Sequence, residues 1–307
     1  MITLNAVLPI FIVIMSGYFI RKHFIQQEEF WKQADRLVYY VLLPITLFKT
    51  TSEFSYEPSM MKSGLLVFGL VSVMGVFAFL SRKIVSMNGA QFTSVFQGVV
   101  RPNFYISLSM ASLLYQKAGV QFLAFMLVFL ILSATVYSVL VLDRYGSMSS
   151  GGGLRKATSR LAKNPIILST MAGFVMGALF GNLPEFAGRT LDVFGDAALP
   201  LALLGVGASL KFSALSSALP MVAVASVLRL ILAPVLSISA SLLLGLNAME
   251  MTCCVLLFAV PSAASSITFA SQMGGDVRLM SQILTVQTVC SFVTLSIVLY
   301  AVQILAA

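Results

Sequence analysis

The segments GVVRPNFYISLSMAS (98–112) and VPSAASSITFASQMGGD (260–276) decide the fold, because each places a proline in the middle of a long apolar run. Proline removes one backbone N–H, clashes with the preceding helical turn and is favoured in the first turn of a new helix. We therefore expect both runs to be helices that break near Pro102 and Pro261 and restart as new half-helices.

The composition around these segments indicates a membrane protein. The chain has 307 residues, of which 59% are hydrophobic and 10% charged, whereas soluble domains are about 45–50% apolar and about 25% charged. The net charge of +8 is scattered between apolar runs, which argues against a nucleic-acid partner. The sequence carries no GxSxG, HExxH, Walker loop or Cys/His cluster, so we expect no enzymatic activity, no cofactor and no metal site.

Ten apolar runs are candidates to cross a bilayer as helices. They cover residues 4–20, 36–51, 63–80, 89–115, 119–142, 165–181, 189–210, 217–245, 249–271 and 279–304. Lipid offers no partner to an unpaired N–H or C=O group, and the period-2 alternation of a barrel strand is absent. We therefore predict an all-α membrane protein with ten transmembrane helices.

The prolines indicate an internal repeat. Three pairs recur in register: Pro9 and Pro165 differ by 156, Pro44 and Pro200 by 156, and Pro102 and Pro261 by 159. This predicts a first repeat over 1–142, a linker over 143–163 and a second repeat over 164–307. A unit of five helices crosses the membrane an odd number of times, so its second copy is inverted, as in many secondary transporters. The alternative is that the offsets are chance, since proline is common in membrane helices.

Basic residues predict the orientation, because cytoplasmic loops are enriched in Lys and Arg. With the N-terminus outside, the inner connections hold twelve, namely Arg21, Lys22, Lys32, Arg82, Lys83, Arg144, Arg155, Lys156, Arg160, Lys163, Lys211 and Arg278. The outer connections hold three, Lys62, Lys117 and Arg189. We therefore predict an inner (cytoplasmic) membrane protein with both termini outside. The basic linker, flexible at Gly151–Gly153, then lies in the cytoplasm.

The residues after the two breaks predict an anion site. A helix N-terminus carries about half a positive charge, and two of them meeting at mid-membrane attract an anion. The candidate substrate-binding residues are Arg101, Pro102, Asn103, Pro261, Ser262, Ser265 and Ser266. Arg101 either pairs with a substrate carboxylate or satisfies carbonyl groups that the proline frees.

Two further charged residues within the runs require a reason, since a charge at the bilayer centre costs at least ~2.5 kcal/mol. Arg229 is a candidate for charge support at the site, and the alternative is an ion pair with Asp196 or Asp192. Asp196 is either a proton-coupling group or a solvated or capping carboxylate. Glu250 begins the ninth run, where we expect it to cap the helix.

Taken with LVYYVLLPITLF (37–48), KNPIILSTMAGFVMGALFG (163–181) and LDVFGDAALPLALLGVGASL (191–210), the two proline segments resemble the auxin efflux carrier family, the bacterial relatives of PIN-type auxin carriers. The resemblance implies that helices 4 and 9 cross at their breaks, a bile-acid sodium symporter-like or NhaA-like arrangement. It also implies a dimerising scaffold of helices 1, 2, 6 and 7 and an elevator-type transport domain of helices 3–5 and 8–10.

The resemblance extends to particular residues and to the substrate class. The family's Pro-Asn at the first break corresponds to Pro102-Asn103, while Ser262 replaces the Asn after Pro261. The acidic residue that plant members carry in helix 3 has no counterpart in 63–80. Family substrates are organic anions, auxin in plants and malonate- or malate-like dicarboxylates in bacteria.

We therefore expect a secondary transporter that moves a small organic carboxylate across the membrane as a homodimer. One alternative is a sodium- or proton-coupled symporter or antiporter on the same fold. Another is a membrane sensor without flux.

Overall fold

The computed structural model describes residues 2–54, 60–148, 152–181, 183–212 and 218–305, and these residues are helical with one isolated antiparallel bridge. Gly151 of the linker and the first residue of the run 217–245 lie outside them. The α-helices are α1 Ile2–His23, α2 Glu28–Leu37, α3 Leu43–Ser52, α4 Met60–Leu80, α5 Gly89–Val100, α6 Phe104–Tyr145, α7 Gly153–Ala162, α8 Pro165–Phe180, α9 Glu185–Ala208, α10 Leu219–Val227, α11 Ala233–Leu243, α12 Ala248–Ala259, α13 Ser265–Met273 and α14 Val277–Leu305.

Six helices of the described chain are long and apolar enough to cross a membrane: α1, α4 with its 3₁₀ extension Ser81–Lys83, α6, α9, the continuous segment Leu219–Leu243, and α14. The pair α7 and α8, bent by 48°, makes a seventh if it is one span. The all-α membrane class is therefore confirmed. The number ten remains a prediction, because breaks and bends divide the remaining runs into shorter helices.

Two π-helical segments lie within otherwise continuous helices, Val38–Leu42 between α2 and α3 and Leu228–Leu232 between α10 and α11. Each segment ends two residues before a proline, Pro44 or Pro234. A proline cannot donate to the carbonyl four residues earlier, and a wider turn relieves the resulting clash. The second helix of the chain begins at Glu28, earlier than the run 36–51 predicted.

Helix α6 combines the second half of the fourth predicted run with the whole of the fifth. Its path bends at Gln116, whose φ of 51° and ψ of −135° are not helical. Positive φ is costly for a residue with a Cβ. Gln116 is exposed at this bend.

Close backbone contacts join helices of the two halves. An ideal Cβ on Gly173 or Gly177 of α8 would overlap carbonyl oxygens of α3, and one on Gly207 of α9 would overlap a carbonyl oxygen of α1. Small residues at these positions let α3 pack on α8 and α1 pack on α9. A second group of helices, α4, α5, α6, α12 and α14, packs together.

Part of the linker is a helix. Residues Gly153–Ala162 form α7, which packs on α6 and buries Ala157. The Arg160 guanidinium donates to Gln272 Oε1 on α13 at 3.3 Å. The linker therefore contains a helix, because the amphipathic sequence GLRKATSRLA has an apolar side to bury, while flexibility at Gly151–Gly153 remains a prediction.

Candidate functional site

The two proline segments lie against each other. Residues 102 and 262 form an antiparallel bridge. The Asn103 N–H donates to Pro261 O at 2.8 Å, and the Ala263 N–H donates to Arg101 O at 2.8 Å. Residues 101–103 separate α5 from α6, and residues 260–264 separate α12 from α13. These hydrogen bonds satisfy backbone groups that the breaks would otherwise leave unpaired in an apolar environment.

Matching local sequences start the helices that lead into the breaks. Asn88 before α5 and Asn247 before α12 each form a capping box, with Gln91 and Glu250 respectively. The expected capping role of Glu250 is thereby confirmed. The second break is longer than expected, since α13 begins at Ser265 and not directly after Pro261.

The half-helices pack in two pairs. Helix α5 contacts α13, and the start of α6 contacts α12, where the Ser107 hydroxyl donates to Leu256 O at 3.1 Å. The breaks thus bring together two helix C-termini, those of α5 and α12, and two N-termini, those of α6 and α13.

Two buried side chains bind the C-terminal ends. Arg229, which is 1% exposed, donates from Nε to Val260 O at 2.9 Å, from Nη1 to Val99 O at 3.2 Å and from Nη2 to Leu257 O at 2.6 Å. Gln287 of α14 donates from Nε2 to Gly98 O and Ala225 O and accepts from the Ser262 N–H at 2.9 Å. The ion pair between Arg229 and Asp192 or Asp196 is therefore not formed. Asp192 instead pairs with Lys49.

Polar groups at the N-terminal ends lack partners. The Arg101 guanidinium makes one hydrogen bond, from Nη2 to Ser265 Oγ at 3.2 Å, while its buried Nε and Nη1 make none. Asn103 Nδ2 and the hydroxyls of Ser262 and Ser266 are also buried without a partner in the described chain. A buried polar group without a hydrogen bond costs about 1–3 kcal/mol, and more if it is charged. Each such group requires an explanation, such as a bound water, ion or ligand.

Aromatic contacts hold the Arg101 side chain in place. Its Cζ lies 3.9 Å from the centroid of the Phe269 ring, and the Cζ of Arg160 lies 4.5 Å from the same centroid. Within the described residues, no carboxylate forms an ion pair with Arg101 or Arg160. Two guanidinium groups therefore share one ring without a neutralising partner.

An open cavity of about 610 Å³, within the usual size range of small-molecule sites, is lined by none of the break residues 101–103 and 260–266. Its walls come from α1, α3, α6 and α9, and include Ser109 and Ser112, which follow Asn103 along α6. Charged groups line it: Lys49, Glu53, Lys117, Asp192 and Asp196. Lys117 and Glu53, which are 2.5 Å apart, link α6 to the segment that follows α3.

The predicted site residues divide into three groups. The structure brings together Arg101, Pro102, Asn103, Pro261, Ser262 and Ser265 through the contacts above, and Ser266 follows in the first turn of α13. Arg229 lies at the opposite, C-terminal side of the breaks. Asp196 lines the cavity and forms no ion pair within the described chain.

Several neighbours of the breaks were not predicted. Gln287 contacts them directly, whereas Arg160 contacts the Phe269 ring on which Arg101 also lies. Gln97 lies one turn before Arg101, and both of its side-chain polar atoms are buried without a partner in the described chain. A buried glutamine in an apolar helix is itself a signal, because burying an amide without a purpose is costly. That test would have found Gln97 and Gln287, but not Arg160.

Comparisons with known proteins agree with a transport role. Residues 153–299 match the family model described as "Membrane transport protein". An uncharacterized transporter of Methanocaldococcus jannaschii is 23% identical over 310 residues, covering 97% of this chain and 98% of that protein. An uncharacterized transporter of Methanothermobacter thermautotrophicus is 29% identical over 140 residues, covering 45% of this chain and 46% of that protein.

The apolar helices and these relatives define the class: the chain is a multi-pass membrane transporter. Residues 153–299 match the membrane transport protein family model, and the motifs of the chain resemble the auxin efflux carrier family. Relatives described as transporters favour a carrier over an enzyme.

Proposed function

We propose that this transporter carries a small organic carboxylate, which binds at the N-terminal ends of the two broken helices. The observation that carries the proposal is the set of buried, unpartnered donors on Arg101, Asn103, Ser262 and Ser266. A carboxylate has two oxygens and about four acceptor positions, so it suits a group made of hydrogen-bond donors.

The charge balance supports an anion rather than a cation. Each helix N-terminus contributes about half a positive charge, so the two together contribute about +1, and Arg101 adds +1. The described chain places no paired carboxylate against them. At the C-terminal ends, by contrast, Arg229 already balances the negative dipole ends.

The proposed architecture is two inverted five-helix repeats with ten crossings. The matched proline offsets support it, as do the two capping boxes at Asn88 and Asn247 and the antiparallel pairing of the breaks. An inverted repeat brings two equivalent breaks together at the membrane centre, where secondary transporters bind their substrates.

We further propose an elevator mechanism on a homodimeric scaffold. The close packing of α1 on α9 and of α3 on α8 supports a rigid scaffold, and the packing of α4, α5, α6, α12 and α14 on one another supports a second, moving domain that α6 and α14 join to the scaffold. The open cavity lies between these groups. We place the protein in the inner membrane with both termini outside, as the distribution of basic residues predicts.

Proton coupling through Asp196 is the second candidate, because this carboxylate lines the cavity. It predicts flux that depends on an imposed pH gradient and is lost in Asp196→Asn. A sensor without flux would bind carboxylates but transport none.

Uptake of labelled malonate, malate and indole acetate into proteoliposomes tests the proposal. The parent should accumulate at least one of them, and Asn103→Ala and Arg101→Ala should each reduce that uptake at least tenfold. Ser72→Ala is the control, since this serine bonds Tyr137 away from the breaks. Unchanged uptake in both site variants would refute the proposed site.

A further inference from the structure

Arg229 lies in an environment built from backbone carbonyl groups. Its guanidinium binds Val99 O, Leu257 O and Val260 O, which belong to the C-terminal ends of α5 and α12. The π-helical turn Leu228–Leu232 places this side chain in the core, where it is among the largest fully buried ones. No carboxylate pairs with it in the described part of the chain.

The positive charge of Arg229 matches its surroundings. Two helix C-termini together contribute about one negative charge, and the guanidinium supplies one positive charge. An unbalanced buried charge would cost several kcal/mol, so this match explains how an arginine is tolerated here. Gln287 satisfies the neighbouring carbonyls Gly98 O and Ala225 O.

A pocket of this kind is also the usual place for a coupling cation. In transporters with broken helices, exposed carbonyls and half-helix C-termini coordinate Na⁺. Here the guanidinium nitrogens lie 2.6–3.2 Å from the carbonyl oxygens and fill the space in front of them. A free ion and Arg229 cannot occupy the same space.

We propose that Arg229 is a covalently attached substitute for a coupling cation. The side chain neutralises the paired C-terminal ends permanently, so substrate binding and flux at this site do not require Na⁺. The flux part of this inference rests on the proposed carrier function. The pocket part does not, because it concerns the protein without substrate.

Thermal unfolding of the purified full chain tests the pocket without any substrate. The parent midpoint should be equal in NaCl, KCl and choline chloride at matched ionic strength. Arg229→Ala should lower the midpoint by roughly 5–10 °C, and millimolar methylguanidinium should restore at least half of that loss. Arg82→Ala is the control, because Arg82 lies over the rings of Phe92 and Tyr145 and not among carbonyls. Methylguanidinium should leave that variant and the parent unchanged.

If Arg229→Ala does not fold, Arg229→Gln serves instead, since it keeps a hydrogen-bond donor but removes the charge and shortens the side chain. Its midpoint should lie below that of the parent and rise with methylguanidinium. A saturable rise of the parent midpoint with Na⁺ alone, or no rescue of either variant, would overturn the proposal. A parent that ignores Na⁺ in this assay but transports none of the carboxylates would refute the proposed function and leave the role of Arg229 intact.

Discussion

Replacing Arg101 with methionine should separate ligand binding from folding. The buried Nε and Nη1 atoms of Arg101 have no partner in the described chain, so a bound carboxylate is expected to accept from both. A hydrogen bond to a charged group contributes about 1.5–3 kcal/mol, and losing two weakens binding by at least ~3 kcal/mol. That loss corresponds to roughly a 100-fold higher Kd.

The same substitution should not destabilise the ligand-free protein. Removing Arg101 eliminates a buried charge that two helix N-termini repel, which offsets the lost hydrogen bond to Ser265 and the contact with Phe269. The cation–π contact contributes about 2 kcal/mol, and relief from burying an unpaired charge is of similar or larger size. The unfolding midpoint of Arg101→Met without ligand should therefore equal or exceed that of the parent.

Isothermal titration calorimetry with the best-transported of malonate, malate and indole acetate measures the first effect, and differential scanning fluorimetry measures the second. Arg160→Met is the matched control, because Arg160 contacts the same Phe269 ring without reaching the breaks. Its Kd should stay within about threefold of the parent value. An unchanged Kd for Arg101→Met, or a large fall in its ligand-free midpoint, would refute the reasoning.

Three further predictions concern packing, the breaks and the cavity. Gly207→Ala should lower the unfolding midpoint, because overpacking against α1 costs about 1–3 kcal/mol. Gly205→Ala, which has open space around it, should raise the midpoint, and equal midpoints of the two variants would contradict the close contact between α9 and α1. Gln287→Leu should lower the free energy of unfolding by at least ~2 kcal/mol, since it leaves buried backbone groups of Gly98, Ala225 and Ser262 unpaired. Denaturant unfolding in mixed micelles measures this loss, and a variant as stable as the parent would contradict the stabilising role of these hydrogen bonds. In a Cys290→Ser background, Ser112→Cys should react with a charged thiol reagent and the buried Ser107→Cys should not, as labelling followed by mass spectrometry will show; equal labelling would argue against an open cavity.

The sequence was informative where a residue type dictates backbone geometry. Pro102 and Pro261 predicted breaks because proline lacks an N–H wherever it occurs, and the structure places both breaks at the expected residues. Glu250 predicted the capped start of α12 from its local position, which the structure confirms. Proline alone did not predict the π-helical turns, since Pro9 and Pro200 lie inside α-helices without such a turn.

The partners of Arg229 were not predictable from residue types. They are main-chain carbonyls, which every residue has, so only the path of the chain selects Val99, Leu257 and Val260. The bend at Gln116 was also not predictable from the residue type, because glutamine does not usually adopt a positive φ. The open cavity likewise depends on how four helices pack, which no single stretch of sequence determines.

The most direct test of the central claim is a density map of the protein with a brominated carboxylate that it transports. The account predicts a bromine-marked anion within hydrogen-bond distance of Arg101, Asn103 and Ser262, between the N-terminal ends of α6 and α13. An anion bound only among Lys49, Lys117 and the other charged groups of the cavity, with the breaks empty, would contradict it.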